Sequence, residues 1–204
     1  MRRPQFPVEP WQRSAALRQD EGWRAGARRV SVVGAGISGR YEVVRGLLGV
    51  RARGEDVPCF YGEGSVCLVV GRTELEVWRC HCLIGSRYWE PPVLPGVWNW
   101  PYVERFAESD GVLFVLDSQR DRRDANEHAL ALAMACLRQF ERRVEEVPFV
   151  FLMNKRDLPC IEAEEDLRAY FRTPRCAHVP TVAPWGVGVG DALRALVALM
   201  ETPR

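Results

Sequence analysis

The chain has 204 residues, of which 47% are hydrophobic and 27% are charged, and its formal net charge is +1. This composition is typical of a globular domain with a well-buried core. The near-neutral charge argues against a dedicated nucleic-acid binder, which needs a broad basic surface. No apolar stretch approaches the roughly 20 residues that cross a bilayer, and the N-terminus has no apolar segment of the kind found in secretion signals. We therefore expect a cytoplasmic protein.

The N-terminal segment, residues 1–28, is predicted to be a basic extension, with a short helix around residues 15–19. Residues 1–29 carry seven arginines against three acidic residues, and three of the first ten residues are prolines. Such an arm can contact a membrane surface or a partner, but a solvated arm is the commoner structure for this charge pattern. The folded domain is expected to cover residues 29–202.

From Arg29 onward the sequence alternates predicted strands and helices. The strands are expected at residues 30–33, 66–70, 75–83, 112–116, 149–153 and 178–182, and the helices at 40–48, along a stripe from 129 to 144, at 161–171 and at 191–200. The second and third strands are expected to form a hairpin across a glycine-containing turn. The prediction is an α/β fold: a mostly parallel six-stranded sheet with one antiparallel hairpin and helices on both faces. Such folds bind ligands at the carboxyl ends of their strands.

The first strand leads into a glycine-rich loop that fits two patterns. The spacing of Gly34, Gly36 and Gly39 matches the dinucleotide-binding fingerprint, which would predict an FAD- or NAD-dependent oxidoreductase. That fingerprint needs an acidic residue about 20 positions on, at the end of a second strand. Glu55 and Asp56 have the right distance but do not follow an apolar strand. The redox enzyme is therefore the weakest alternative, and no flavin is expected.

The second pattern is a phosphate-binding P-loop, residues 34–41, which includes Ser38 and ends in Gly39-Arg40-Tyr41. Support comes from Asn154-Lys155-Arg156-Asp157, which follows a buried strand. An aspartate carboxylate accepts two hydrogen bonds from guanine, an asparagine ties neighbouring loops, and a lysine stem lies over the base. The alternative is that these residues only form a turn and cap the next helix.

Longer segments resemble one family. They are SDGVLFVLDS from Ser109, Ala125-Asn126, NKRDLP from Asn154, and VAPWGVGVGDALRAL from Val182. Together they resemble the bacterial Ras-like small GTPases of the MglA type, which are known from gliding and twitching motility. The resemblance covers about residues 29–202 and implies a Ras-like fold. It also implies that Ala183 belongs to the last guanine-contacting loop and that a roadblock-type (MglB-like) dimer is a partner.

The departures from this family fall on residues that would act on phosphates. Arg40 stands where the family has lysine, and its planar fork cannot replace a compact ammonium without a change of geometry. Tyr41 stands where a serine or threonine hydroxyl binds Mg²⁺, and a phenol oxygen lies a whole ring further out. Ser86 replaces the glutamine that orients the attacking water, and residues 54–63 contain no threonine. We expect no catalytic residue and no Mg²⁺ site.

A zinc site is also not expected. Cys80, His81 and Cys82 are adjacent, but in a strand the two cysteines point to one face and the histidine to the other. Three ligands from this run therefore cannot converge on one ion.

The segment from residue 88 to residue 102 is rich in aromatic residues and prolines. Its aromatic residues are Tyr88, Trp89, Trp98, Trp100 and Tyr102. Aromatic residues are favoured as interface anchors, so a protein-partner surface is one interpretation. The other is an insert folded over a vacated nucleotide pocket.

The sequence therefore favours a pseudo-GTPase, a regulatory or scaffolding module that binds GDP or GTP weakly or not at all. The alternative is an atypical small GTPase that still hydrolyses GTP slowly.

Overall fold

The computed structural model describes residues 16–18, 26–47, 65–70, 72–79 and 106–202. The strands are β1 (Ala16–Arg18), β2 (Arg28–Gly34), β3 (Ser65–Val70), β4 (Thr73–Arg79), β5 (Gly111–Asp117), β6 (Phe149–Asn154) and β7 (Cys176–Pro180). The α-helices are α1 (Arg40–Leu47), α2 (Arg123–Gln139), α3 (Glu164–Tyr170) and α4 (Val189–Glu201). Three single turns of 3₁₀-helix span Arg120–Arg122, Val144–Glu146 and Ala183–Trp185.

The strands form one sheet in the order β1-β3-β4-β2-β5-β6-β7. The five strands β4, β2, β5, β6 and β7 are parallel to one another. Strand β3 pairs antiparallel with β4, and β1 pairs antiparallel with β3. The predicted fold class, an α/β fold with a mostly parallel sheet, is confirmed.

The N-terminal strand corrects one expectation. Residues Ala16–Arg18 pair with Ser65–Cys67 at the edge of the sheet, so the short helix predicted around residues 15–19 is wrong. An exposed edge strand offers a row of backbone hydrogen-bond donors and acceptors. Residues Ala16–Arg18 pair with this row as a strand, although their local sequence predicted a helix. The boundary between an extension and the folded domain stays a prediction.

The central strands are buried on both faces, which explains their continuous apolar runs. In β5, Leu113 and Val115 pack on the side of α1 and α4, whereas Phe114 and Leu116 pack on the side of α2 and α3. All seven residues of β5 are buried. Helices on both faces of the sheet therefore enclose two separate apolar clusters.

Two helices begin later or end earlier than predicted. Helix α3 begins at Glu164 rather than near residue 161, because Ile161 forms an isolated bridge with Gln119 that holds the preceding backbone extended. Helix α2 ends at Gln139, and Val144 lies in a separate 3₁₀ turn. Within the described residues, no helix is both long and apolar enough to cross a membrane.

The carboxyl ends of three parallel strands bring three chain segments together. Gly34 ends β2, Asp117 ends β5 and Asn154 ends β6, and Asp117 is the register partner of Asn154. Gly34 is the register partner of Val115 on the other side of β5. The glycine loop and the Asn-Lys-x-Asp segment therefore leave the sheet side by side.

The half-buried histidine of β7, His178, predicts an acid-sensitive fold. Burial lowers the pKa of His178 below its usual value, with a smaller lowering from Arg168, although its bond to the Phe171 carbonyl opposes the shift. Below about pH 6.5 the unfolded chain therefore binds more protons than the folded chain, and stability falls as the pH falls. We expect urea unfolding between pH 7.5 and 5.5 to show this loss, and His178→Gln to reduce it.

The exposed histidine of α2 supplies the control for this experiment. His128→Gln should keep the wild-type pH dependence. If His178→Gln loses stability on acidification as steeply as the wild type, the assignment to His178 is wrong.

Candidate functional site

Two glycines of the loop after β2 are required by close contacts. Gly34 has a φ of +145°, and a Cβ there would lie 2.2 Å from the carbonyl oxygen of Val115. Gly39 has a φ of +99°, and a Cβ there would lie 2.3 Å from Nδ2 of Asn154. Any other residue would collide and adopt a strained backbone. These glycines let the loop pack directly against β5 and β6.

The loop also carries an unusual apolar residue. Ile37 has a φ of +64°, a conformation that β-branched residues rarely adopt. Its side chain is 81% exposed. Backbone strain of this kind persists only where the surroundings hold it, and it is concentrated at functional sites. The loop at Ile37 is therefore held by contacts from outside the loop.

Asn154 connects three segments of the site. Its Nδ2 donates to the Ser38 carbonyl at 2.8 Å, and its Oδ1 accepts from the Ala183 amide at 2.9 Å and from the Thr181 hydroxyl at 3.2 Å. The side chain is 1% exposed. Asn154 therefore joins the glycine loop to the 3₁₀ turn at Ala183 through the backbones of Ser38 and Ala183.

The ammonium of Lys155 has a partner that the sequence did not reveal. It donates to Oδ2 of Asp117 at 2.6 Å, and the Asp117 side chain is fully buried. Asn126 holds the same aspartate through two hydrogen bonds to its backbone. An acidic residue at the carboxyl end of a buried strand next to β6 is the signal that could have identified it.

A second basic residue joins this network. The guanidinium of Arg122 donates from Nη2 to the Gly36 carbonyl at 2.7 Å, and its Nε lies 3.6 Å from Oδ2 of Asp117. One buried carboxylate therefore lies between Lys155 and Arg122. Arg122 was not predicted from the sequence, because it lies before α2 in a run of charged residues and belongs to no recognisable motif.

The turn that carries Arg122 is braced against the segment before α3. Arg123 forms an ion pair with the buried carboxylate of Glu162, and that hydrogen bond raises the pKa of Arg123. The Glu162 amide donates to the Ser118 carbonyl at 2.8 Å, and Arg156 donates to the Glu162 carbonyl at 2.8 Å. These contacts fix the Asn-Lys-x-Asp segment relative to the turn at 120–122.

A cavity of about 460 Å³ lies between the glycine loop and the Asn-Lys-x-Asp segment. Its lining residues are Ile37, Gly39, Arg40, Tyr41, Glu42, Asn154, Lys155, Asp157, Leu158 and Pro184. The structure therefore brings both ends of the predicted site to one cavity. Gly34, Gly36, Ser38 and Ala183 are not among the lining residues, and the Ser38 side chain is buried. Asp157 is exposed, so its carboxylate is accessible to a ligand.

Arg40 and Tyr41 begin helix α1 and face the cavity. The guanidinium carbon of Arg45 lies 5.5 Å from the centre of the Tyr41 ring, and Arg45 also pairs with Glu42 at 3.5 Å. A cation over the ring face is attracted by the aromatic quadrupole. The Tyr41 ring is thus engaged along the helix.

Several predicted positions lie outside the described residues. They are Glu55, Asp56, Cys80, His81, Cys82, Ser86, Tyr88, Trp89, Trp98, Trp100 and Tyr102. Among the described residues, no group of three histidine, cysteine, aspartate or glutamate side chains could hold a metal ion.

Removal of the Asn154 side chain should destabilise the protein. Asn154→Ala leaves the Ser38 carbonyl and the Ala183 amide without their buried partner, and an unsatisfied buried group costs about 1–3 kcal/mol. We expect the free energy of unfolding in urea to fall by about 2–4 kcal/mol.

Asp157→Ala is the matched control, because this motif residue is exposed. It should change the free energy of unfolding by less than about 0.5 kcal/mol. Equal stability of the two variants would contradict the connecting role of Asn154.

Comparison with known proteins gives one clear likeness. No family model matches the chain. Over 93 residues the chain is 38% identical to the mutual gliding-motility protein MglA of Myxococcus xanthus (strain DK1622), a match that covers 46% of this chain and 48% of that protein. The chain therefore spans about half the length of this curated relative. This similarity confirms the resemblance to MglA-type Ras-like GTPases that the sequence motifs predicted.

Proposed function

We propose that the chain is an MglA-like pseudo-GTPase, a regulatory or scaffolding module of the cytoplasm that binds guanine nucleotide weakly or not at all and does not hydrolyse it efficiently. One observation carries the proposal: the cavity has an intact Asn-Lys-x-Asp segment at one end and Arg40 and Tyr41 at the other. The end suited to a base is preserved, and the end suited to a magnesium-bound phosphate is altered.

The geometry of the Asn-Lys-x-Asp segment supports guanine as the ligand. The Asp157 carboxylate is exposed to the cavity, where it can accept hydrogen bonds from N1–H and the exocyclic amine of guanine. The Lys155 stem lines the same cavity while Asp117 holds its ammonium. This restraint leaves the methylene groups of Lys155 available to pack against a flat base.

The phosphate end supports the loss of efficient catalysis. A tyrosine at position 41 cannot place an oxygen in an octahedral Mg²⁺ site in the way that a serine or threonine can. Loss of a positioned charge in phosphoryl transfer commonly costs a factor of about a thousand or more in rate. The exposed Ile37 side chain adds an apolar group beside the place of the phosphates.

Partners follow only from the resemblance and from sequence outside the described residues. We propose that a protein partner, of which a roadblock-type (MglB-like) dimer is the family example, binds this chain, and that the aromatic segment at residues 88–102 contributes to that surface. Aromatic side chains give large contact area at low entropic cost, which favours them at interfaces.

An atypical GTPase is the second candidate, and Arg40 is the observation that favours it. Its guanidinium lines the cavity at the start of α1, so a positive charge remains close to where the phosphates would lie. In that case turnover would depend on this charge, and Arg40→Ala should abolish phosphate release.

A titration with fluorescent GDP, with and without Mg²⁺, tests the proposal. We expect any GDP binding to be weak, with a dissociation constant between about 10 μM and 1 mM or weaker, equivalent to a binding free energy of roughly −7 to −4 kcal/mol. We also expect that Mg²⁺ does not change this affinity. Asp157→Ala should abolish the weak binding without unfolding the protein, because its side chain is exposed. The double variant Arg40→Lys/Tyr41→Thr should bind GDP more tightly and in a Mg²⁺-dependent manner.

The controls separate the alternatives. Denaturation of gently purified protein followed by ion-pair chromatography reports any ligand that was carried through purification. Tight, Mg²⁺-dependent GDP binding by the wild-type protein, or released GTP with measurable turnover, would contradict the pseudo-GTPase. Released flavin would contradict the guanine site.

A further inference from the structure

Arg122 contacts the glycine loop from a turn that is distant in sequence. Its Nη2 donates to the Gly36 carbonyl at 2.7 Å across a separation of 86 residues. The side chain is 23% exposed, and the carboxylate of Asp117, which lies 3.6 Å from its Nε, is fully buried. A hydrogen bond from a charged donor is roughly twice as strong as a neutral one. The contact is therefore suited to holding a backbone carbonyl in one direction.

The peptide that Arg122 holds lies at the most strained part of the loop. No peptide bond of the described residues is cis, so the Gly36 carbonyl and the Ile37 amide point in opposite directions. Ile37 itself has a φ of +64°. When Arg122 fixes the carbonyl, it also turns the Ile37 N–H away from the guanidinium. Backbone N–H groups held in this way are the groups with which such loops bind phosphate.

Asp117 links this contact to the other end of the cavity. Its Oδ2 accepts from Lys155 at 2.6 Å and lies 3.6 Å from Nε of Arg122. Lys155 belongs to the segment suited to a base, and Arg122 holds the segment suited to phosphates. The two ends of the cavity therefore share one buried carboxylate, whose own backbone is fixed by Asn126.

We propose that Arg122 is a positioning residue that sets the glycine loop for the phosphate groups of the ligand, with Asp117 as the fixed point between the loop and Lys155. The identity of the ligand as a guanine nucleotide rests on the proposed function, but the control of the loop by Arg122 does not. Arg122 needs no contact with the nucleotide to act in this way.

Amide hydrogen exchange in the absence of nucleotide tests the control of the loop. We expect Arg122→Gln to increase the exchange rates of the Ile37, Ser38 and Gly39 amides by at least about tenfold, equivalent to roughly 1.4 kcal/mol of local stability. The matched control is Arg120→Gln. It removes a guanidinium from the same turn, but this guanidinium donates to the Ile161 carbonyl and not to the glycine loop. Unchanged loop exchange in Arg122→Gln, or the same increase in Arg120→Gln, would overturn the proposal.

Binding of guanosine and of GDP separates positioning from general damage. If the wild-type protein binds GDP more tightly than guanosine, Arg122→Gln should reduce the ratio of GDP affinity to guanosine affinity about tenfold, or to one. The affinity for guanosine should not change. Arg122→Lys retains a charged donor and should recover part of the ratio. An equal loss of guanosine and GDP would overturn the proposal.

If the wild-type protein binds neither compound, the result agrees with the non-binding form of the proposed function but contradicts the phosphate-positioning role of Arg122. The exchange result alone then decides whether Arg122 controls the loop. The two failures are thus distinguishable.

Discussion

The hydrogen bonds of Asn154 are the constraint on which the site depends. Its carboxamide satisfies a carbonyl of the glycine loop and an amide of the 3₁₀ turn at Ala183–Trp185, in a position that solvent does not reach. A buried amide with all these partners rigidifies its surroundings, whereas a partly satisfied one would be costly. Gly39 lies so close to Nδ2 of Asn154 that a side chain at position 39 would collide with this amide. Without this residue, three loops at the edge of the sheet would have no common anchor.

A second layer of polar contacts surrounds this anchor. Asp117, Lys155 and Arg122 form a charged network whose centre, the Asp117 carboxylate, is fully buried, a place where a charge without partners would be costly. Together with Asn126, the network fixes the carboxyl end of β5 beside that of β6. The rigid base of the cavity is therefore built from side chains that need not touch a ligand.

The contrast between the two ends of the cavity has a physical meaning. Groups that recognise a base act through hydrogen bonds of defined direction, and Asn154, Lys155 and Asp157 line one end of the cavity. Groups that act on magnesium-bound phosphates require ligands at about 2.1 Å, and Arg40 and Tyr41 line the other end of the cavity. Under the proposed function, such a site keeps a ligand-shaped surface while its chemistry is lost.

Much of the fold could be predicted from the sequence because local signals determine it. Continuous apolar runs predicted β5 and β6 since both faces of these strands are buried. Gly34, Gly39 and the Asn-Lys-x-Asp segment were recognisable because each has a spacing that its backbone or its ligand requires. The strand at Ala16–Arg18 was not predictable, because pairing with a sheet edge and not local propensity determines it.

The tertiary structure alone decided which charges meet. Arg122 reaches Gly36 across 86 residues, and Lys155 reaches Asp117 across 38. No spacing rule connects such positions, and any of the many arginines in the sequence could have been a solvated surface residue. The sequence by itself predicted the mostly parallel sheet, the glycine loop and the position of the Asn-Lys-x-Asp segment after a buried strand. Only the packing of β2, β5 and β6 side by side brought Arg122, Asp117 and Lys155 together, because contacts between residues far apart in the chain exist only once the sheet has formed.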